Sequence, residues 1–421
     1  MSENHDPVTR PNMSHRLARM TGRDPSAAHR SATPLELLFD LAFVVAFGQA
    51  ADQLAHLVAA GHWQPGVVGF VFAVFGICWA WINFSWFASA YDTDDWAYRL
   101  TTMVQMIGVV VFALGLPDFF HSLDEGHGVD SGVMVGGYVI MRVAMILQWL
   151  RAARQDPARR GTALSYAFFV GIAQLGWVLL AVLHTSADLF FALATVLFVV
   201  EIIGPIIAER KTSGTPWHPH HIAERYGLLA IIALGEGIFG TVAAVAELVR
   251  LQGWSSEAVL VIVAGVGLTF GLWWNYFLIP SGVVLARFRT RAFPWGYGHI
   301  IIYASIAGTG AGLHVAAYVI EGHAAVGTLA AIVAVAVPVL VFSIALFGLY
   351  GYLVRQFDPL HVWLFAGTVV MLLAAIGLAV AGASIGLCLM IITLSPAVVI
   401  VGYELVGHRH ETVMLERLLR Q

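Results

Sequence analysis

From about residue 33 the chain alternates between apolar runs of about twenty residues and short polar connections. A helix of about 20 residues crosses about 30 Å of hydrocarbon, and the ten-residue alternation of membrane-barrel strands is absent. The pattern predicts helical spans over 34–58, 66–90, 100–120, 132–153, 161–183, 188–208, 221–248, 257–280, 297–320, 324–352, 361–381 and 384–405. That is an all-α polytopic membrane protein with twelve transmembrane helices. Residues 1–32 are polar, carry Arg10, Arg16, Arg19, Arg23 and Arg30, and have no secretory signal, so they read as a disordered basic tail. The transmembrane domain extends over 33–406, and 407–421 form a second short tail.

Composition agrees. Hydrophobic residues make up 59% of the chain and charged residues 11%, against about 25% charged in soluble domains. The mean hydropathy is +0.79. Cys78 and Cys388 both sit inside apolar runs, which leaves neither a disulfide framework nor a zinc cluster. No phosphate loop, nucleophile elbow, HExxH or dinucleotide fingerprint is present, so no cofactor and no nucleic-acid partner is implied.

The basic residues fix an orientation. Twelve spans place Arg99, Arg151, Arg154, Arg159, Arg160, Arg210, Lys211, Arg287, Arg289, Arg291, Arg355 and both tails on one side, with Arg250 alone opposite. Short cytoplasmic loops retain Lys and Arg, so both termini are expected in the cytoplasm.

Charges inside apolar runs are costly and mark candidate sites. Span one carries Glu36 and Asp40, an i, i+4 pair behind Thr33 and Pro34, which suit a helix start. Two carboxylates that close cannot both ionise comfortably unless a cation intervenes. Arg142 lies in span four and needs a carboxylate or a water-filled cavity, with Asp40, Glu201 and Glu236 as the candidate partners. Span seven carries Glu224, Arg225 and Glu236. The last two share a helix face about 16 Å apart. The Phe39, Phe43 and Phe47 stripe reads as helix packing.

An internal echo suggests two parallel six-helix repeats, 33–210 and 218–406. Trp81-Ile82-Asn83-Phe84 in span two matches Trp274-Asn275-Tyr276-Phe277 in span eight, which adds Asn83 and Asn275 to the candidates. Asp92, Asp94 and Asp95 after span two offer a weak divalent-cation site, with local Asp–Arg pairing at a solvated helix end as the preferred account. His218, His220 and His221 lack a matching Cys/His set, and His56 and His314 read as interfacial.

Glu36-Leu-Leu-Phe-Asp40-Leu-Ala-Phe-Val, Tyr91-Asp-Thr-Asp-Asp, His221-Ile-Ala-Glu-Arg-Tyr-Gly-Leu-Leu and Leu234-Gly-Glu-Gly together resemble the bacterial low temperature requirement protein A family. Gly237 stands where Ser is common in such proteins. The resemblance implies a multipass bacterial inner-membrane protein linked by name to growth in the cold, with no defined reaction. The residues themselves suggest a proton-linked secondary transporter of a small solute or ion, more readily than an enzyme. Protonation of Glu236 and Asp40 would loosen their pairing with a cation such as Arg142. The alternatives are an intramembrane enzyme acting on a lipid or isoprenoid, with carboxylates as acid and base or Asp92, Asp94 and Asp95 holding a metal–diphosphate, or a stress-linked sensory protein.

Overall fold

The structure, a computed structural model, describes residues 17–25, 27, 30–126, 128–183, 185–211, 214–355 and 359–407. Arg10, Arg16, Arg409, Arg417 and Arg420 lie outside the described residues. Among the described residues there are helices and no strands. The helices are α1 (Pro34–Ala59), α2 (Trp63–Tyr91), α3 (Trp96–Leu114), α4 (Leu116–Glu125), α5 (Gly132–Gln155), α6 (Arg160–Leu183), α7 (Ala187–Glu209), α8 (Pro219–Gln252), α9 (Ser256–Phe277), α10 (Ser281–Arg287), α11 (Ala292–Glu321), α12 (Thr328–Val354), α13 (Pro359–Val380) and α14 (Ile385–Gly402).

Twelve of these units are long and apolar enough to cross a membrane, with α3 and α4 forming one and α9 and α10 another. The break in the third span falls at Gly115 and Pro117, where proline has no N–H to continue the ladder. Side chains cap the starts. Thr33 and Glu36 form a reciprocal capping box on α1, Asp95 caps α3, Ser255 caps α9 and Ser384 caps α14.

Helix order sets the scaffold for the site. α1 packs on α2 and α3, α3 on α5, α5 on α6 and α6 on α7; α8 then packs on α9 and α11, α11 on α12, α12 on α13 and α13 on α14. The two sequences of neighbours have the same form except that α14 also packs closely on α9, whereas the corresponding α7 and α2 backbones do not approach as closely. They meet where α1 and α2 pack against α8 and α11. With no hydrophobic drive between helices in lipid, close approach needs small residues. Gly310 of α11 supplies one: a Cβ there would lie 2.7 Å from the carbonyl carbon and Cβ of Glu236 on α8. The Phe39, Phe43 and Phe47 stripe is buried, and the Phe39 and Phe84 rings sit 3.8 Å apart.

Residues 17–25 depart from the expected disordered tail. Their backbone is tied to the bundle: Ala18 N–H donates to Asp95 (3.1 Å), Met20 N–H to Gln155 Oε1 (2.6 Å), Gly22 N–H to Asp156 (3.2 Å) and Arg23 N–H to the Ala90 carbonyl (3.0 Å). Further on, Arg30 donates to the Ala88 carbonyl at 2.6 Å and to that of Ser89. Helix ends leave carbonyls and capping carboxylates unpaired, and here the tail pairs with them.

Candidate functional site

The capping box that starts α1 also places Glu36. Its Oε2 accepts from the Thr33 N–H at 2.8 Å, which turns the carboxylate toward α8. Asp40, one turn on, lies on the same face. Arg225 of α8 reaches both, with Nη1 2.9 Å from Glu36 Oε1 and Nη2 donating to Asp40 Oδ1. His221, one turn before Arg225, places Nε2 3.3 Å from Glu36 Oε2, and the Trp81 indole of α2 donates to Asp40 Oδ1 at 2.7 Å. Glu36, Asp40, His221 and Arg225 are each 0% exposed. The Arg225 guanidinium lies 5.6 Å from the Trp81 ring and 5.9 Å from that of Phe84.

The intervening cation that the Glu36 and Asp40 spacing requires is therefore Arg225. Two carboxylates against one guanidinium leave an excess of one negative charge, which a proton on His221 would cancel. The network is also short of partners. Asp40 Oδ2, Arg225 Nε and His221 Nδ1 are buried with no hydrogen-bond partner among the described residues.

A second buried pair has a better-bonded carboxylate, although Arg142 Nε and Gln174 Oε1 are also without a partner among the described residues. Arg142 Nη2 donates to Glu201 Oε2 at 2.7 Å, so Glu201 is its partner and neither Asp40 nor Glu236 is. Glu201 accepts three further bonds, from Tyr138 (2.8 Å), Trp177 (2.9 Å) and Gln174 (3.2 Å). All its donors sit on α5 and α6, so the cluster pins α7 within the first half of the chain. Four donors on one carboxylate make a lock.

The remaining candidates are separate. Glu236 is buried against Gly48 of α1 and Gly310 of α11, with no ion-pair partner among the described residues. The expected pairing of Glu236 or Asp40 with Arg142 is thus replaced by three distinct environments. Because Asp40 meets Arg225 and Gly48 meets Glu236, α1 and α8 run in the same direction. A Cβ on Gly237 would meet Thr269 Oγ1 at 2.5 Å, so the close approach of α8 and α9 favours glycine there. Glu224 is exposed and faces away from the cluster. Asn83 is buried and spends its Nδ2 on the Trp79 carbonyl (2.8 Å), while Asn275 is buried in the second half; neither joins the charges.

The aspartates after α2 diverge toward three arginines. Asp94 pairs with Arg99 at 2.8 Å and Asp95 with Arg151, while Asp92 accepts from the Asp94 N–H (2.8 Å) and faces Arg23 at 3.7 Å. Burial, then the nearby Glu36 charge, pushes the Asp92 carboxyl up to about 6. Burial acts the same way on Asp95, but the Arg151 fork and the Tyr98 N–H outweigh it and hold Asp95 below the usual carboxylate range. Burial, with Arg23 nearby, brings Arg30 down to about 10. The imidazoles diverge too, with His218 Nε2 at 2.8 Å from the Ala27 carbonyl and His220 exposed. Among the described residues no group of three or more His, Cys, Asp or Glu could hold a metal ion.

Comparison with known proteins places the chain. Residues 31–396 match the bacterial low temperature requirement A protein (LtrA) family. The chain belongs to the LtrA family. It is also 31% identical over 211 residues to an uncharacterized protein, RA0937, of Rhizobium meliloti (strain 1021), a match covering 48% of each chain. The chain thus spans about half the length of that relative. No solved structure matches. The twelve membrane-length helices and membership of LtrA make this a multipass membrane protein.

Two members of the charge cluster escape a reading of the sequence. His221 stands one helical turn before Arg225, and that spacing was the available signal. Trp81 is one indole among 13 tryptophans, and only the fold shows that it meets Asp40.

Proposed function

We propose that this LtrA protein is a proton-linked secondary transporter or permease of a small solute or ion, with the Glu36, Asp40, His221 and Arg225 cluster as its switching element. One observation carries this reading: the buried charge cluster joins α1 and α2 of the first half to α8 of the second, whereas the Arg142–Glu201 pair lies within one half. A buried charge pair that holds two bodies together is worth most when its charges balance. Loss of the His221 proton leaves the excess negative charge uncompensated and favours a second packing of the halves. The repeated helix order, and the parallel run of α1 and α8, support two six-helix repeats of one orientation. Nineteen basic residues on one side against Arg250 on the other support cytoplasmic termini in a bacterial inner membrane.

The test is a solute screen. Proteoliposomes holding the full chain are given a metabolite mixture and an imposed pH gradient, and the entrapped contents are measured by mass spectrometry. The expected result is gradient-dependent accumulation of a solute, lost in Asp40→Asn. Accumulation of no solute, or accumulation that ignores the gradient and survives Asp40→Asn, contradicts the proposal.

A further inference from the structure

A cavity of about 280 Å³ is bounded by α8, the α9–α10 turn, α11 and α12, and none of Glu36, Asp40, His221 and Arg225 lines it. It has roughly twice the volume of a 150 Å³ apolar cavity that holds benzene. Aliphatic side chains, Ile302, Leu346, Leu349 and Leu353 among them, form about half of its wall; Tyr276, His299 and Trp295 are its buried residues with polar atoms, and Ser281 adds a half-buried hydroxyl. Of the residues lining it, His220 at the rim is the one able to carry a formal charge besides His299.

The hydrogen bonds of Tyr276 and His299 define what the cavity accepts. His299 Nδ1 lies 2.7 Å from the Trp295 carbonyl, which can only accept, so Nδ1 carries the proton. His299 Nε2 is then an acceptor, 3.1 Å from the Tyr276 hydroxyl, which must donate to it. The neighbouring Tyr303 hydroxyl is committed to the Tyr226 carbonyl at 2.9 Å. The Tyr276 oxygen is left with acceptor capacity and no proton to give. At the Tyr276 oxygen a carboxylate or phosphate would meet only lone pairs, and a cation would find no counter-charge. A neutral molecule with one O–H or N–H donor meets neither penalty. Exposed Phe277 and Val283 at the mouth give it an apolar route from the bilayer.

We propose that this cavity binds a neutral, ring-sized amphiphile through a hydrogen bond donated to the Tyr276 hydroxyl oxygen, with the phenol or indole class as the best fit. The site does not rest on the transport reading. The probes are 2-naphthol and 2-methoxynaphthalene, which share a ring system and differ in the donor. Binding is measured with the full chain in nanodiscs against empty nanodiscs. The expected result is saturable naphthol binding above the empty-disc background, about tenfold tighter than that of methoxynaphthalene, as one net hydrogen bond gives. Tyr276→Phe should weaken naphthol to the level of methoxynaphthalene and leave methoxynaphthalene unchanged. Naphthol uptake equal to that of empty nanodiscs, or equal affinity of the two probes for the unsubstituted protein, overturns the assignment. The second comparison holds whether or not Tyr276→Phe folds.

Discussion

Arg225 of α8 donates to Asp40 of α1, two residues 185 positions apart in sequence and both fully buried. The bond ties the first half of the chain to the second at the point where α2 adds the Trp81 indole. Arg225→Lys tests whether the guanidinium fork or only its charge is needed, because an ammonium is a single point charge that cannot span Glu36 and Asp40 in the same geometry. The expected outcome is a lowered melting temperature and loss of gradient-driven uptake, with Arg225→Ala lower still because two carboxylates are left facing each other. Thermal unfolding in detergent checks the order.

Glu201 carries four donors and Arg142 has no other carboxylate among the described residues, so this lock is predicted to be structural. Glu201→Ala should cost about 3–5 kcal/mol, the usual penalty for leaving a buried charge unpaired. Glu201→Leu combined with Arg142→Met should recover most of that loss. Equilibrium unfolding of the two single variants and the double variant decides, and a double variant as unstable as Glu201→Ala would show that more than the charge is at stake.

Gly310 is predicted to hold α8 and α11 at their closest approach. Gly310→Val places two methyl groups where the Glu236 backbone already lies within 2.7 Å of a Cβ, so the helices must separate. A loss of roughly 1–3 kcal/mol is expected, while Gly348→Val, with nothing within 4 Å of its added Cβ, should change little. Comparing the two melting temperatures tests this.

Asp92 gives a pH dependence with a defined sign. Its carboxyl, pushed up by burial and by Glu36 to about 6 from 3.8, binds its proton more tightly when folded. Stability therefore falls as pH rises from about 4 through 6, and the full penalty, on the order of 3 kcal/mol, is present above 6. Asp92→Asn keeps an acceptor for the Asp94 N–H and removes the charge. It should raise the melting temperature at pH 7.5 and have little effect near pH 4. Melting curves at the two values read this directly.

The run of apolar blocks made the twelve spans legible, because hydrocarbon thickness dictates helix length, and Thr33 marked the start of the first. The charged residues were legible one at a time, since hydrocarbon makes each stand out. Their pairing was not. Arg142 had three carboxylates to choose from, and helix periodicity orders residues along one helix without saying which helices meet. Span one packs on span seven through tertiary contacts that no local pattern encodes, so Arg225 could be placed on a stripe with Glu236 but not opposite Asp40. The docking of residues 17–25 was hidden for a related reason: a polar segment with no apolar core looks disordered until the unpaired carboxylates and carbonyls it binds are in view.

The charge state of the α1–α8 junction is predicted to set the spacing of the two halves. Spin labels at Ala60→Cys and Leu251→Cys, with buried Cys78 and Cys388 replaced by Ala, report that spacing by pulsed dipolar distance measurement in nanodiscs. Between pH 5 and 8, the range in which an imidazole changes charge, the distance distribution should shift from one population to another. The shift should be absent in His221→Gln and in Asp40→Asn. A single distribution at both pH values, or a shift that persists in both variants, would contradict the account.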